Sequence, residues 1–445
     1  MPRSDMVPVG TEVGRSWGRY PEAHHARAVP VTWRDDPPAL SGIPETMLPY
    51  GCGRSYGDSC LNDGGALLVA TGLDRFIALD DSGLLRCEAG VTLAEILDLI
   101  VPRGWFLPVV PGTKWVTVGG AIANDIHGKN HHRAGSFGVH VTRFELLRSS
   151  GQRLICTRDS NAELFAATIG GLGLTGLILW AEIRLQRLAG EGIAQERIRF
   201  GGLDEFLAIA AEDAAHEYTV AWVDCLARGR RLGRGVYLRG THAPLPKVGR
   251  RPSDGPRFRI PLEAPRHLLN RTTVAAFNAL QYRRGLTKTG RATVAYQPFF
   301  FPLDAVGDWN RLYGRTGFLQ YQCVVPEAPG GGAVRAILER VGSSRETPAL
   351  AVLKRFGSTA SPGLLSFPRP GLTLAIDLAF RGPSTLQLLD QLDQEVRQAG
   401  GAVYPAKDAR MSSESFRAYF PAWRTFAALV DPRFSSSFWR RVHEP

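Results

Sequence analysis

Hydrophobic and polar positions follow one rhythm in the first part of the chain and another in the rest. From about Glu45 to Gln186, short apolar runs such as "ALLVAT" and "LLRCEAG" alternate with stretches that carry helix-start signals. Thr92, followed three residues later by Glu95, has the spacing of a capping box, in which each side chain satisfies the other residue's backbone N–H. It predicts a helix opening at 92. Ser160 and Glu163 repeat that spacing ahead of "LFAATIGG", and "LTGLILWAEIRLQ" then predicts a long strand. This part of the chain is expected to form an α/β domain. Beyond residue 190 the texture changes to strand-like runs, "YTVAWVDCLA", "FLQYQCVVP", "ALAVLKRFG" and "LTLAIDLAF", with helical stretches between them. These predict a second, largely antiparallel domain. The final segment, starting near "GGAVYPAKDAR" and including a helical "SESFRAYF", is expected to return to the first domain.

Composition narrows the class. A chain of 445 residues exceeds one compact core, and 44% hydrophobic with 21% charged residues is a globular balance that excludes disorder and fibrous repeats. The N-terminus lacks the apolar run of a secretory signal, and no stretch approaches twenty uninterrupted apolar residues. The longest uncharged stretch, Leu164 to Ala181, carries Gly170, Gly171, Gly173 and Gly176, which suit a helix, a turn and a strand better than a membrane span. Six cysteines at 52, 60, 87, 156, 225 and 323 lack metal-ligand spacing and fit reduced thiols in a cytoplasmic protein.

Net charge is +11, but it is concentrated. Between Arg228 and Arg291 sixteen basic residues face two acidic ones, leaving the remainder slightly acidic. This Gly/Pro-rich segment, 228–291, is expected to be a long, partly disordered insertion. It suits peripheral contact with anionic membrane lipid or a phosphate-bearing substrate, and a merely solvated basic loop is the plainer alternative. It lacks the interleaved aromatics of a base-stacking platform, so nucleic acid is not an expected partner.

Three glycine-rich places could hold phosphate. "GGLGLTG" contains a literal G-x-G-x-x-G at Gly171, Gly173 and Gly176, yet a helix precedes it and a strand follows, the reverse of a dinucleotide fingerprint. "YGCGRSYGD" has Tyr56 where a third glycine would stand, but the backbone N–H groups from Gly51 to Gly57 could form an anion nest; a plain tight turn is the alternative. "PGTKWVTVGGAIANDIHG" joins Gly112, Gly119, Gly120 and Gly128 to Asn124, His127 and, just beyond it, Asn130. A flat, polar-edged ring lying against backbone would need that pairing. His127 and His131 have the i, i+4 spacing of two zinc ligands, but Gly128 and Asn130 make poor helix interior and no further ligands follow, so no metal is expected.

With "GRSYGD", "VTVGGAIANDIHGKNHH", "AGSFG", "DWNRLYGR", "QYQ", "VVP", "KRFG", "LSFP" and "YPAKD" assembled, the chain resembles the vanillyl-alcohol oxidase and p-cresol methylhydroxylase superfamily of flavoproteins. Within it, the chain is similar to the decaprenylphosphoryl-β-D-ribose 2-oxidase family. The resemblance implies an α+β fold: a two-subdomain FAD-binding domain over 1–190, a substrate domain with a largely antiparallel sheet over 191–401, and a return to the FAD domain over 402–445. It implies that Gly51, Cys52, Gly53, Arg54, Ser55, Tyr56, Gly57 and Asp58 surround the FAD pyrophosphate. Gly112, Thr117, Val118, Gly119, Gly120, Asn124, Asp125, Ile126, His127, Ile178 and Tyr404 would line the rest, with His127 toward the reacting side. Members with covalent flavin often carry histidine where Arg54 stands, so the FAD is expected to be non-covalent.

Oxidising a secondary alcohol needs a base for the hydroxyl proton. From the sequence alone Lys407 reads rather as a surface lysine paired with Asp408; the resemblance reverses this and makes it the candidate, provided its pKa is lowered toward neutrality. Lys407 could instead only orient the hydroxyl while His127 or water takes the proton. Gln320 and Gln322, alternate residues of one strand, would hydrogen-bond sugar hydroxyls. Lys354 would meet phosphate, Phe356 a sugar face or lipid, and Trp222 would close the pocket; ordinary structural roles suit each as well. Leu372, Thr373 and Ala375 stand where the best-known members carry tryptophan, asparagine and cysteine, which alters the substrate wall. The expected activity is oxidation of a polyprenyl-phosphate-linked pentose to a keto-sugar, with a separate NAD(P)H-dependent short-chain reductase completing an epimerisation. A soluble sugar, alditol or aldonolactone as substrate is one alternative. A basic membrane- or RNA-binding protein with a vestigial flavin site is another.

Overall fold

A computed structural model describes residues 13–213, 215–245, 255–265, 267–287 and 290–443. The fold is α+β, as expected, and its large sheet is antiparallel. Three sheets organise it. Arg27–Pro30 and Met47–Tyr50 flank Ala66–Val69 in a small parallel sheet. Five antiparallel strands follow in the spatial order Phe76–Leu79, Leu84–Glu88, Leu177–Arg184, Val141–Leu147, Arg153–Thr157. An eight-stranded antiparallel sheet runs Arg291–Ala295, Gly192–Phe200, Gly235–Ala243, Tyr218–Val223, Pro348–Phe356, Gly371–Ala379, Phe318–Val325, Ala402–Val403.

The alternation read from the sequence decides what each face of the large sheet carries. Tyr321, Cys323, Leu353, Leu372, Leu374 and Ile376 point into a core shared with the flanking helices Glu327–Ser343 and Pro383–Gln398. Their neighbours Gln320, Gln322, Val352, Lys354, Thr373 and Ala375 point the other way and line a cavity. The opposite side of that cavity belongs to the small parallel sheet, the five-stranded sheet and the short helix Val118–Ala123.

The two capping-box spacings differ in the structure. Thr92 and Glu95 do form a capping box at the start of Leu93–Ile100. Ser160 and Glu163 do not. The strand Arg153–Thr157 ends in a turn in which the Thr157 hydroxyl accepts from the N–H groups of Asp159 and Ser160, and the helix Ala162–Thr168 starts after Asn161 in a left-handed conformation. A tight turn used up the residue that would have capped. Within the basic segment 228–291, where a partly disordered insertion was expected, Gly235–Ala243 is an inner strand paired on both sides. Arg271–Thr287 is a helix and Arg291–Ala295 an edge strand. Arginines alternate or pair with acids there, as Arg239 does with Glu196 at 2.8 Å, and a strand tolerates them. Residues 246–254, 266, 288 and 289 of that segment lie outside the described residues.

The C-terminal segment crosses back to the N-terminal sheets. Met47 and Phe434 form a parallel bridge, and Arg441 on the helix Ser437–His443 reaches Asp58 at 2.7 Å and Asp408 at 3.0 Å. Among the described residues no helix is long and apolar enough to cross a membrane.

Candidate active site

A cavity of about 610 Å³ separates the large sheet from the N-terminal sheets. Its first wall is mostly backbone. The turn Gly51 to Tyr56 follows the strand Met47–Tyr50, and Gly112, Thr117, Gly119, Gly120 and Asn124 follow one another beside it. Ile126, His127, Ile178 and Tyr404 complete the lining among the residues expected there. Gly53 has φ +58, a conformation that suits glycine, and a Cβ on it would lie 2.2 Å from the Tyr50 hydroxyl. At Gly112 a Cβ would meet nothing within 4 Å, so that glycine presents bare main chain to the cavity.

Four expected cofactor residues lie elsewhere. A Cβ on Gly57 would meet the Asp408 carbonyl oxygen at 1.7 Å, so Gly57 serves backbone packing. Asp58 is buried against Arg441. Val118 is core. Asp125 is buried and accepts from Ser361, Ser366 and the Gly138 N–H, tying the histidine-bearing loop to the large-sheet side. The Tyr56 N–H donates to the Ala406 carbonyl at 2.9 Å, which leaves any anion nest to the residues before it.

The second wall is made of side chains. Gln320, Gln322, Lys354 and Lys407 line it, together with Thr373 and Ala375. The Gln322 amide nitrogen lies 2.9 Å from His127 Nε2 and 3.2 Å from Thr373 Oγ1, and Lys354 Nζ lies 3.3 Å from His127 Nδ1. A neutral imidazole carries one N–H. With the Gln322 amide donating to Nε2, that proton sits on Nδ1 and points at Lys354, whose amine can accept it only when uncharged. Burial and the neighbouring Lys129 and Lys407 amines push Lys354 down to about 7. Burial, then Lys354, His131 and Lys407, hold His127 well below its ordinary range. Lys407 is likewise lowered to about 7 by burial, partly opposed by Asp377. Its exposed surface faces the cavity, and its Nζ stands 3.6 Å from the centroid of the Tyr56 ring.

Phe356 does not line the cavity. Its ring packs 4.8 Å from His127 and 4.3 Å from His131, fixing the imidazole that Gln322 and Lys354 hold. Trp222 pairs across the strands with Val352 and shares the cavity face, one strand outside the lining.

Asp377 was missed in the sequence. It is buried, accepts from the Gln320 amide at 2.5 Å, and receives the Tyr313 hydroxyl at 3.4 Å; burial raises it to about 6. By accepting from the Gln320 amide nitrogen it leaves the Gln320 carbonyl oxygen as the free end of that side chain. A signal existed: Asp377 is the one charged residue in "LTLAIDLAF". Trp17, Asp304 and Arg259 also line the cavity and carried no motif; Trp309, which stood in "DWNRLYGR" without an assigned role, lines it as well.

Two buried polar atoms at the backbone-built wall, Arg54 Nε and Ser59 Oγ, have no hydrogen-bond partner. Arg54 is stacked over Trp17 at 4.1 Å. Orphaned donors beside bare glycine backbone fit a bound anionic cofactor.

Comparison with known proteins accords with that fit. Residues 42–157 match the FAD binding domain model. The chain is 37% identical over 412 residues to the decaprenylphosphoryl-β-D-ribose oxidase of Mycolicibacterium smegmatis, covering 89% of each protein. The chain belongs to the decaprenylphosphoryl-β-D-ribose oxidase family of FAD-binding oxidoreductases. An uncharacterised protein of Streptomyces coelicolor is 38% identical over 379 residues, which cover 79% of this chain and 100% of that protein. The human Δ(24)-sterol reductase is 34% identical over 102 residues, 23% of this chain and 20% of its own length. The similarity to the first two relatives thus extends over most of the chain, and the distant similarity covers about a quarter of it.

Proposed function

We propose that the chain oxidises a secondary hydroxyl of a pentose carried on a polyprenyl phosphate, giving a keto-sugar. A separate NAD(P)H-dependent reductase then completes an epimerisation. The observation that carries this reading is the convergence of two amides, Gln320 and Gln322, with two lysines, Lys354 and Lys407, on the wall opposite the bare backbone. Amides suit hydroxyl groups, and a buried amine lowered toward neutrality suits the removal of a hydroxyl proton.

In this reading FAD supplies the acceptor for the hydride equivalent that leaves the carbinol carbon. Everything else falls to side chains of this chain. Lys407, lowered to about 7, is substantially uncharged at neutral pH and takes the hydroxyl proton on Nζ. His127, whose two ring nitrogens are engaged by Gln322 and Lys354, positions those side chains. Gln320, oriented by Asp377, accepts a second sugar hydroxyl. The buried apolar flank of Phe367 and Tyr404, stacked at 4.6 Å, helps keep water from the reacting atoms.

Non-covalent FAD is part of the proposal. Arg54 cannot form a histidyl bond, and the cavity-lining thiols Cys52 and Cys60 are pushed up by burial to about 11 and about 12, which keeps them un-ionised. The test is anaerobic mixing of the yellow protein with polyprenyl-phosphate pentoses and, separately, with soluble sugars, alditols and aldonolactones. Rapid flavin bleaching by the lipid-linked pentoses alone is expected, and acid precipitation should leave the flavin in the supernatant. Equal bleaching by the soluble compounds would replace the proposed substrate, and flavin that stays in the pellet would end the non-covalent assignment.

A further inference from the structure

Five of the eight large apolar side chains exposed among the described residues fall in one stretch: Phe258, Leu262, Leu268, Phe277 and Leu280. The helix Arg271–Thr287 explains part of this. Val274 and Asn278 are buried and share its inner face, where the Asn278 amide donates to Asp224 at 2.8 Å. Phe277 flanks that inner face and Leu280 lies further round toward solvent, each about half exposed, at positions where a solvated helix carries charge.

Strand alternation tells which side of the molecule this is. Lys354 and Val352 line the cavity, Trp222 pairs with Val352, Val236 with Trp222, and Arg199 with Val236, so all share one face of the large sheet. Tyr282 stacks on Arg199 at 4.8 Å, which sets the helix on that cavity face. The segment ahead of it borders the cavity itself. Gly255, Pro256 and Arg259 line it, while the adjacent Phe258 is 57% exposed and Leu262 77% exposed. Backbone bonds from Arg257 to Ala305, Ile260 to Gly307 and Ala264 to Arg311 hold this segment in place.

Charge identifies the partner. The exposed apolar side chains are interspersed with exposed Arg257, Arg259 and Arg283, inside the stretch 228–291 with sixteen basic and two acidic residues. Projecting Phe and Leu amid arginines suit an anionic bilayer, where the rings and branched chains enter the headgroup layer and the guanidinium groups pair with lipid phosphate. We propose that residues 257–265 and 267–284 form a membrane-docking surface for anionic lipid, placed beside the cavity. This is independent of which sugar is oxidised.

The test uses the full-length flavoprotein and vesicles of phosphatidylcholine with or without phosphatidylglycerol. Co-sedimentation is expected with the anionic vesicles alone, and high salt should release most of the protein. The double variant Phe277→Ser, Leu280→Ser should weaken partitioning by about tenfold or more. Arg257→Gln with Arg283→Gln should weaken it by about fivefold per charge. All should keep the wild-type flavin spectrum and melting temperature, which separates lost docking from lost folding. Failure of the wild type to sediment with anionic vesicles, or equal binding by the Phe277→Ser, Leu280→Ser variant, would overturn the proposal. So would concentration-dependent dimerisation in sedimentation velocity that this variant abolishes, which would assign the surface to a second copy of the chain.

Discussion

The two walls of the cavity are built from different materials. On one side Gly51, Gly53, Gly112, Gly119 and Gly120 expose main chain, and the unpartnered polar atoms belong to Arg54 and Ser59. On the other, Lys354, Gln320 and Gln322 stand on strands of the large sheet and Lys407 on the turn Pro405–Lys407 that follows its edge strand, with His127 reaching across from the backbone side to meet Gln322 and Lys354. A backbone wall is fixed by the fold and can hold a large cofactor without titrating. A side-chain wall is adaptable and crowded with like charge, so its groups are forced toward neutrality. Shape is kept apart from proton chemistry.

The sharpest way to break that division is to remove the amine on which the second wall depends. Lys407→Met should keep FAD, since Lys407 is not part of the backbone cradle, and should slow flavin reduction by substrate about 10²- to 10⁴-fold in anaerobic stopped flow. A wild-type rate would show that the proton goes elsewhere.

Two glycines sharpen the division on the backbone side. Gly57→Ala drives a Cβ into the Asp408 carbonyl and should destabilise even the apoprotein by about 3 kcal/mol, read as a lower melting temperature. Gly112→Ala meets nothing within 4 Å and should leave apoprotein stability within about 0.5 kcal/mol while weakening FAD binding. Similar melting temperatures for the two apoprotein variants would remove the distinction between packing and cradle glycines.

The smallest effect concerns charge crowding. Lys354 has a folded pKa of about 7 against an ordinary lysine value in the unfolded chain, so between those limits the unfolded state holds the extra proton. Its burden on stability is therefore full below pH 7 and is relieved as pH rises above it. Lys354→Met should stabilise the apoprotein by about 1–2 kcal/mol near pH 6, and the gain should shrink toward pH 9 in paired thermal melts. A gain that does not change with pH would mean that Lys354 is an ordinary charged lysine.

Much of this was legible in the chain. Alternation in "FLQYQCVVP" put Gln320 and Gln322 on one face, and the order of helix and strand around Gly171 ruled out a dinucleotide turn. Other features were not legible, because they depend on partners far away in sequence. Gly57 and Gly112 look alike as letters, yet one meets Asp408 and the other meets open space. Asp58 reads as part of a phosphate turn until Arg441, at the other end of the chain, is seen to claim it. The basic segment reads as loop until Gly235–Ala243 finds a strand on either side.

The sequence by itself determined the local periodicities, the glycine-bearing turns and the kinds of chemical group available, because each is a property of neighbouring residues. Only the tertiary structure decided which of those groups share a cavity and how they titrate. Lys354, Lys407, His127 and Asp377 acquire their shifted proton affinities from one another and from the loss of water, and chain order encodes neither distance nor burial.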